Sequence, residues 1–454
     1  MSKHQEPPTA KPLVDDYGNI HYPTEELARG GQGVVYRTTD ADLAIKQPLD
    51  VSGNPDKNAN LRERFQNIRL LPLPPRVQVS LPLAILRDEP GYVMRLLNGM
   101  HPFSVFDLNG KTKRALAEEI DNNRLELPKW LAAIPDRDMA LRLHHYARTG
   151  STRRRLFALS RCACILARLH AAGLVYGDIS PNNVFVGEGE SRDVWLIDAD
   201  NLRLEMSQGG ASVYTPHYGA PEVVQGHDQA RPRTDCWAFA VLAYSALTLS
   251  HPFIGKKVLE PEDDEGGWDA NPVEDGAPAD LDEQAYAGYL PFIDDEEDDS
   301  NSAVTCPPLP RNLVAGPGLR QLFQETFSPG RTQPHRRPSM AFWALELAKA
   351  FDQSLTCPDC VMSYFANDHV KCPYCDAPRP PFARAKTPRW QLLVPADTSE
   401  FALPHRLFCS FSLEHNDDAE YEATLDFARM SAQPVRGTKP FPPELSIQFV
   451  EAVK

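Results

Sequence analysis

Residues 175–183 read V-Y-G-D-I-S-P-N-N, and fifteen residues after Asn183 comes Asp198, inside L-I-D-A-D. The apolar run Val194-Trp195-Leu196-Ile197 has the character of a strand and would deliver Asp198 to the end of a hairpin, facing Asn183. An acid, an amide five residues later and a second acid suit a metal-bound triphosphate. Carboxylate and amide oxygens hold Mg²⁺, and a separate carboxylate orients an attacking hydroxyl. Taken alone, D-x-x-x-x-N also fits an ordinary turn after an apolar helix, so its weight depends on the rest of the chain.

Residues 27–36 read L-A-R-G-G-Q-G-V-V-Y, and Lys46 follows in L-A-I-K. Glycines at 30, 31 and 33 let a hairpin backbone close over phosphates without Cβ clashes. Val34 to Tyr36 and Leu43 to Ile45 are short strand-like runs, and a lysine on the second can reach phosphates as a point charge.

With these residues in order, the chain resembles a eukaryotic-type protein kinase of the bacterial signalling kind. The matching positions are Gly30 and Gly33, Lys46, Asp178 with Asn183, Asp198, and Ala220-Pro221-Glu222. The segment T-P-H-Y-G-A-P-E at 215–222 is similar to the family's substrate-docking loop. Asp235 matches the buried Asp of the long C-lobe helix, and His251-Pro252-Phe253 the loop after it. Arg337 matches the arginine expected to pair with Glu222, and the resemblance spans about residues 20–352. It implies catalytic roles for Asp178, Lys46, Asn183 and Asp198, with Asn183 and Asp198 holding Mg²⁺ or Mn²⁺. It further implies an ATP site made of Ala28, Gly30, Gly31, Gly33, Val35, Lys46 and Glu63, with Met94, Arg95 and Leu97 on the strand leading to the hinge. Glu63 is the acid of a helix expected over 58–71; it either pairs with Lys46 or is a solvated surface charge.

The departures are informative. Ala28 stands where the first loop glycine is usual, Tyr176-Gly177 replaces His-Arg, Ser180 replaces a lysine, and Ala199-Asp200 replaces Phe-Gly. The G-D-x-x-x-x-N pattern is also similar to aminoglycoside phosphotransferases, which usually lack the docking loop present here. Loss of a positive charge at 180 is expected to slow phosphoryl transfer.

At 454 residues and 42% hydrophobic content the chain has room for two or three globular domains. The polar N-terminus, M-S-K-H-Q-E-P-P, does not read as a secretory signal. The longest apolar stretch, Cys236 to Leu249, is too short and too polar to span a bilayer. A cytoplasmic protein with no membrane association is expected.

The net charge of −15 is concentrated: residues 260–300 hold seventeen Asp or Glu and no Lys or Arg, which leaves the rest near neutral. This acidic insert reads as a solvated loop, with local docking of Tyr286 and Tyr289 to Ile293, or as an arm for a basic partner. A second insert, 106–151, is basic and partly helical. It could bind phosphate or an acidic substrate, or pair with the acidic insert. Without interleaved aromatics it does not read as a nucleic-acid site.

Cys357-Pro358-Asp359-Cys360 and Cys372-Pro373-Tyr374-Cys375 are two C-x-x-C knuckles eleven residues apart. Four thiolates so placed form a closed tetrahedral Zn²⁺ site of structural type. Cys162, Cys164, Cys236, Cys306 and Cys409 read as isolated thiols. The proline-rich segment 376–384 reads as a stiff linker. Strands are expected near 390–394, 407–411 and 447–450.

The expected architecture is α+β: a two-lobed protein-kinase-like fold followed by a zinc ribbon and a small β-rich tail. Its parts are a disordered N-terminus (1–20), an N-lobe (21–97), a C-lobe (98–354) with basic (106–151) and acidic (258–302) inserts, a zinc ribbon (355–377) and a β-module (378–454). The implied activity is ATP-dependent phosphorylation of Ser or Thr hydroxyls on a protein substrate. The alternatives are a pseudokinase scaffold that binds nucleotide and partners, or a small-molecule kinase. The resemblance to bacterial signalling kinases also implies, as partners, a von Willebrand A protein and a metal-dependent protein phosphatase.

Overall fold

The structure is a computed structural model that describes residues 11–30, 33–50, 52–56, 60–189, 191–206, 214–260, 280–304, 309–414, 419, 421–436 and 439–452. The chain divides into two compact units, Met1–Phe103 with Leu169–Val213, and Ser104–Arg168 with Tyr214–Lys454.

The first unit is built on a five-stranded antiparallel sheet. Its spatial order is Pro23–Gly30, Gly33–Thr38, Leu43–Gln47, Tyr92–Arg95, Pro82–Ile85. Short β-branched and aromatic runs with buried Val34, Ile45 and Val93 explain why these segments pair. The helix Asn60–Arg69 buries Phe65 and Ile68 on one side, three residues apart and so on one face. The disorder expected over 1–20 is corrected in part. Leu13–Val14 pairs with Ile20–His21 around a buried Asp15, while residues 1–10 lie outside the described residues.

Residues 169–213 belong to this unit and not, as expected, to the helical part of the chain. Backbone hydrogen bonds explain why. Ser80 N donates to Leu196 O at 2.8 Å, and Leu196 N donates to Gln78 O at 2.9 Å.

The second unit is mainly helical. The apolar helix Pro232–Thr248 is buried nearly all round, as a helix without a polar face must be. Trp237 on it packs against Phe253 and Phe327, with ring centroids 5.3 and 5.4 Å apart. Most of the helix Ser151–Ala171 lies here, burying Leu156, Leu159, Ile165 and Leu166.

The basic insert forms helices Gly110–Asp121, Lys129–Ala132 and Arg137–Arg148. Several of its cations pair within the insert: Arg142 with Asp138 at 2.9 Å, Lys113 with the same Asp138, and Arg137 with Asp121 at 2.5 Å. Of the acidic insert, 261–279 lies outside the described residues. Its aromatic part docks locally, with Leu290, Phe292 and Ile293 buried and Phe292 5.0 Å from Phe327.

The β-rich tail is two three-stranded sheets, Gln391–Pro395/Phe382–Lys386/Ser446–Val450 and Glu400–Leu403/Tyr421–Asp426/Ser431–Pro434. Two expectations are corrected. Phe382–Lys386 is the central strand of the first sheet, so the linker reading ends before it. Residues 407–411 are not a strand; Leu407 closes a short turn and is buried in the tail core. The tail clusters with the helices and is anchored by a buried carboxylate. Asp352, at the end of Met340–Asp352, accepts from Trp390 Nε1 at 2.7 Å and from Arg406 at 2.6 and 2.7 Å. No helix among the described residues is long and apolar enough to cross a membrane.

Candidate active site

The site lies within the first unit. Gly30 pairs with Gly33 at the tip of its hairpin, and Ala28 pairs with Val35, which in turn pairs with Lys46. A Cβ at Gly33 would sit 2.7 Å from the Gln47 carbonyl oxygen, so the close return of the chain requires glycine there. Gly31 lies outside the described residues. The register thus sets Gly30, Gly33, the half-buried Val35 and Lys46 along one stretch of sheet.

The hairpin expected before Asp198 is present. Val184–Gly187 pairs with Val194–Leu196, and Ile197 N donates to Asn183 O at 2.9 Å. The Tyr176 hydroxyl donates to the Ile197 carbonyl, tying the segment before Asp178 to the segment before Asp198. Asn183 Nδ2 donates to the Asp178 carbonyl at 2.9 Å and to its carboxylate at 3.0 Å. Asp198 takes a left-handed backbone conformation, φ 56°, and opens the short turn Ala199–Asn201. Aspartate tolerates that conformation better than most residues.

Lys46 is buried, and its ammonium donates to the Asp198 carboxylate and to Asp200 Oδ2, the latter at 2.7 Å. Burial alone would lower the Lys46 pKa. The charges of Asp200 and Asp198 outweigh it and hold the ammonium above the ordinary lysine value. The Asp198 carboxyl lies above the usual carboxylate range because burial raises it and Asp200 and Asp178 repel it, against the pull of Lys46. One ammonium therefore faces two carboxylates, Asp198 and Asp200, with Asp178 close enough to repel Asp198, a surplus of negative charge that suits a divalent cation. The donor set fits as well. Asn183 uses its amide N–H on Asp178, so its Oδ1 is the atom that would meet a cation, and Asp198 meets Lys46 through Oδ1, so its Oδ2 would do the same.

Glu63 is exposed on its helix, the solvated of its two sequence readings, and Lys46 meets Asp200 instead. Three residues of the site were not read from the sequence: Asp200, Tyr92 and Arg64. The Tyr92 hydroxyl donates to Asp200 Oδ1 at 2.7 Å, and Arg64 donates to the Asp200 carbonyl at 2.6 and 3.0 Å. The available signal was the second acid of L-I-D-A-D, in a position read only as a departure from Phe-Gly. On the strand toward the hinge, Met94 is half-buried and Arg95 exposed. The Leu96 N–H, between Arg95 and Leu97, donates to the Asp42 carbonyl at 2.8 Å. Ser180 is buried, 2% exposed.

In the second unit, the four knuckle cysteines converge. Their sulfurs all lie within 4.8 Å of one another, with Cys357–Cys375 at 3.7 Å and Cys360–Cys372 at 3.6 Å. Zn–S bonds of about 2.3 Å in a tetrahedron place sulfurs roughly 3.8 Å apart, and a disulfide would hold them at about 2.0 Å. The two knuckles share one backbone shape. Val361 N donates to Cys357 O and Asp376 N to Cys372 O, both at 3.0 Å, and Val361 and Asp376 are both left-handed, with φ 55° and 59°. Among the other cysteines Cys162, Cys164 and Cys236 are buried and Cys409 is exposed, while Cys306 lies outside the described residues.

The chain is 34% identical over 242 residues to the serine/threonine-protein kinase PknA of Mycobacterium tuberculosis, covering 51% of this chain and 48% of that protein. It is 31% identical over 115 residues to the serine/threonine-protein kinase PknD of Chlamydia pneumoniae, covering 21% of this chain and 12% of that one. The chain thus spans about half, or less, of the length of these relatives. A solved structure described as "ROP18 kinase domain in complex with AMP-PNP and sucrose" aligns at 17% identity and a TM-score of 0.45, over 76% of this chain and 86% of that one. Residues 141–266, which include Asp178, Asn183, Asp198 and Glu222, match the family described as "Protein kinase domain".

Proposed function

We propose that the protein is an ATP-dependent serine/threonine protein kinase. The observation that carries the reading is the convergence of Asp178, Asn183, Asp198 and Lys46, which holds the oxygen groups that phosphoryl transfer asks of a protein together with one phosphate-reaching ammonium. Asp178 accepts the proton of the attacking hydroxyl as its oxygen bonds to the γ-phosphorus and ADP leaves. Lys46 holds phosphate oxygens beneath the glycine turn around Gly30, Gly31 and Gly33. Mg²⁺ or Mn²⁺, held by Asn183 and Asp198, supplies neutralisation of phosphate charge. Val35, Met94, Arg95 and Leu97 border the nucleotide, with Ala28 at the hairpin edge.

The pseudokinase alternative is disfavoured because no member of that oxygen set is missing. The small-molecule alternative is disfavoured by the docking segment 215–222, whose Glu222 is held by Arg337. A protein substrate follows from this reading, and the resemblance adds a von Willebrand A protein and a metal-dependent phosphatase as partners, acting in the cytoplasm. Cys357, Cys360, Cys372 and Cys375 would hold a structural Zn²⁺ that closes a zinc ribbon over 355–377.

The test is labelled ATP with Mg²⁺ or Mn²⁺ and a generic protein substrate. Wild type should label Ser or Thr, and Asp198→Ala should not. Label appearing only on metabolites or drugs, or on nothing, would reject the protein-kinase reading.

A further inference from the structure

A buried ammonium needs a carboxylate that stays with it, because an unpaired buried charge is strongly destabilising. Lys46 is 5% exposed. The kinase reading shares Asp198 between Lys46, met through Oδ1, and a metal ion, met through Oδ2, so its charge is not the lysine's alone. The helix acid that could replace it, Glu63, is exposed.

Asp200 has the required properties. Its Oδ2 accepts from Lys46 at 2.7 Å and its Oδ1 from the Tyr92 hydroxyl at 2.7 Å, so both oxygens are aimed. Its carbonyl accepts from Arg64 Nε at 3.0 Å and Nη2 at 2.6 Å, and Arg64 Nη2 also reaches Asn201 Oδ1 at 2.9 Å. The side chain is 8% exposed. Arg64 follows Glu63 on the helix Asn60–Arg69, and one residue is about 100° around a helix axis. The helix therefore reaches the site through a cation on the Asp200 backbone, while its acid is exposed.

We propose that Asp200 is the positioning residue that holds Lys46 toward the nucleotide phosphates, a task otherwise expected of the helix glutamate. The assignment rests on the kinase reading and acts through Lys46. Asp200 itself need not touch nucleotide. Tyr92 and Arg64 support it from the sheet and the helix.

The full chain is titrated calorimetrically with ATP and Mg²⁺, and separately with adenosine, which lacks phosphates. Asp200→Asn should weaken ATP binding about tenfold or more, of the order expected for losing one charged tether, and change adenosine binding less than about twofold. On a Lys46→Met background the same substitution should add less than about twofold, because a residue acting through another is non-additive with it. Glu63→Gln should stay within about twofold of wild type for both ligands. If Asp200→Asn does not fold, Tyr92→Phe carries the test, with an ATP-selective loss of about threefold from one hydrogen bond.

Equal loss of ATP and adenosine would mark Asp200 as merely structural. Unchanged ATP affinity, full additivity with Lys46→Met, or a loss in Glu63→Gln matching that in Asp200→Asn would overturn the assignment. A wild type that binds as described and transfers no phosphate would reject the kinase reading and leave the role of Asp200 standing.

Discussion

Arg337 and Glu222 are joined by two parallel hydrogen bonds of 2.7 and 2.8 Å, with the arginine side chain wholly buried. The same guanidinium donates to the Gly330 carbonyl at 2.8 Å and to the Arg233 carbonyl at 3.0 Å, and lies over the Trp237 ring, 4.9 Å from its centroid. The docking segment is thereby fixed to the helical core. Removing either partner strands a charge, so Arg337→Ala or Glu222→Ala should lose about 3–5 kcal/mol of unfolding free energy. Replacing both with apolar residues should lose less than either single change. Urea unfolding of the three variants checks this, and full additivity would disprove the pairing.

Freshly purified protein should carry one Zn²⁺ per chain. Replacing any of Cys357, Cys360, Cys372 or Cys375 by Ser, or removing metal with a chelator, should lower the melting temperature. The knuckle is tied to the start of the helix Ser151–Ala171, since Ser363 N donates to Ser151 Oγ and Arg153 N to Ser363 Oγ, both at 2.9 Å. Metal loss should therefore slacken more than the ribbon. Elemental analysis that finds no zinc in protein never exposed to chelator would reject the site.

Asp15 supplies a pH signature in the first unit. Burial alone would raise its pKa. Hydrogen bonds from His21 at 2.9 Å, the Asn19 side chain at 3.0 Å, and the backbone of Asn19 and Tyr17 overcome this and hold it at about 2, against 3.8. A folded-state value below the unfolded one contributes stability that is complete above about pH 4 and is lost as pH falls toward 2. Asp15→Asn should be less stable at pH 6 and should flatten the pH dependence between 4 and 2. An unchanged slope in denaturant titrations across that range would contradict the assignment.

Activity should not depend on phosphorylation between Asn201 and Tyr218. Where an arginine precedes the catalytic aspartate it can receive a loop phosphate through charge-assisted hydrogen bonds, and Gly177 cannot. Gly177 has φ 84°, a conformation L side chains rarely adopt, so the backbone itself disfavours an arginine there. Phosphatase treatment should leave turnover unchanged. Loss of activity that returns on rephosphorylation would refute this.

Much of the site was legible because its chemistry is local in sequence. Asp178 and Asn183 share one loop, and the strand pattern before Asp198 announced its hairpin. The partner of Lys46 was not legible. It is chosen by tertiary packing, and a helix acid and a second acid in L-I-D-A-D are equally good candidates until burial and direction are known. The tail failed for a related reason. Leu407 is apolar because it fills a core and not because it alternates along a strand, while the prolines before Phe382 masked a strand that pairs with the next one, Gln391–Pro395, and with the distant Ser446–Val450. The knuckles were plain because four cysteines at that spacing have few other uses.

In the proposed reaction Asp178 takes the proton of the attacking hydroxyl while Asn183, Asp198 and Lys46 hold the metal and the nucleotide. Asp178→Asn tests it most directly, because an amide fills the same space yet cannot accept that proton. This variant should bind ATP with Mg²⁺ about as tightly as wild type and transfer phosphate at least about a hundredfold more slowly, the minimum commonly lost with a general base. Transfer by Asp178→Asn at the wild-type rate would contradict the assignment of the catalytic loop.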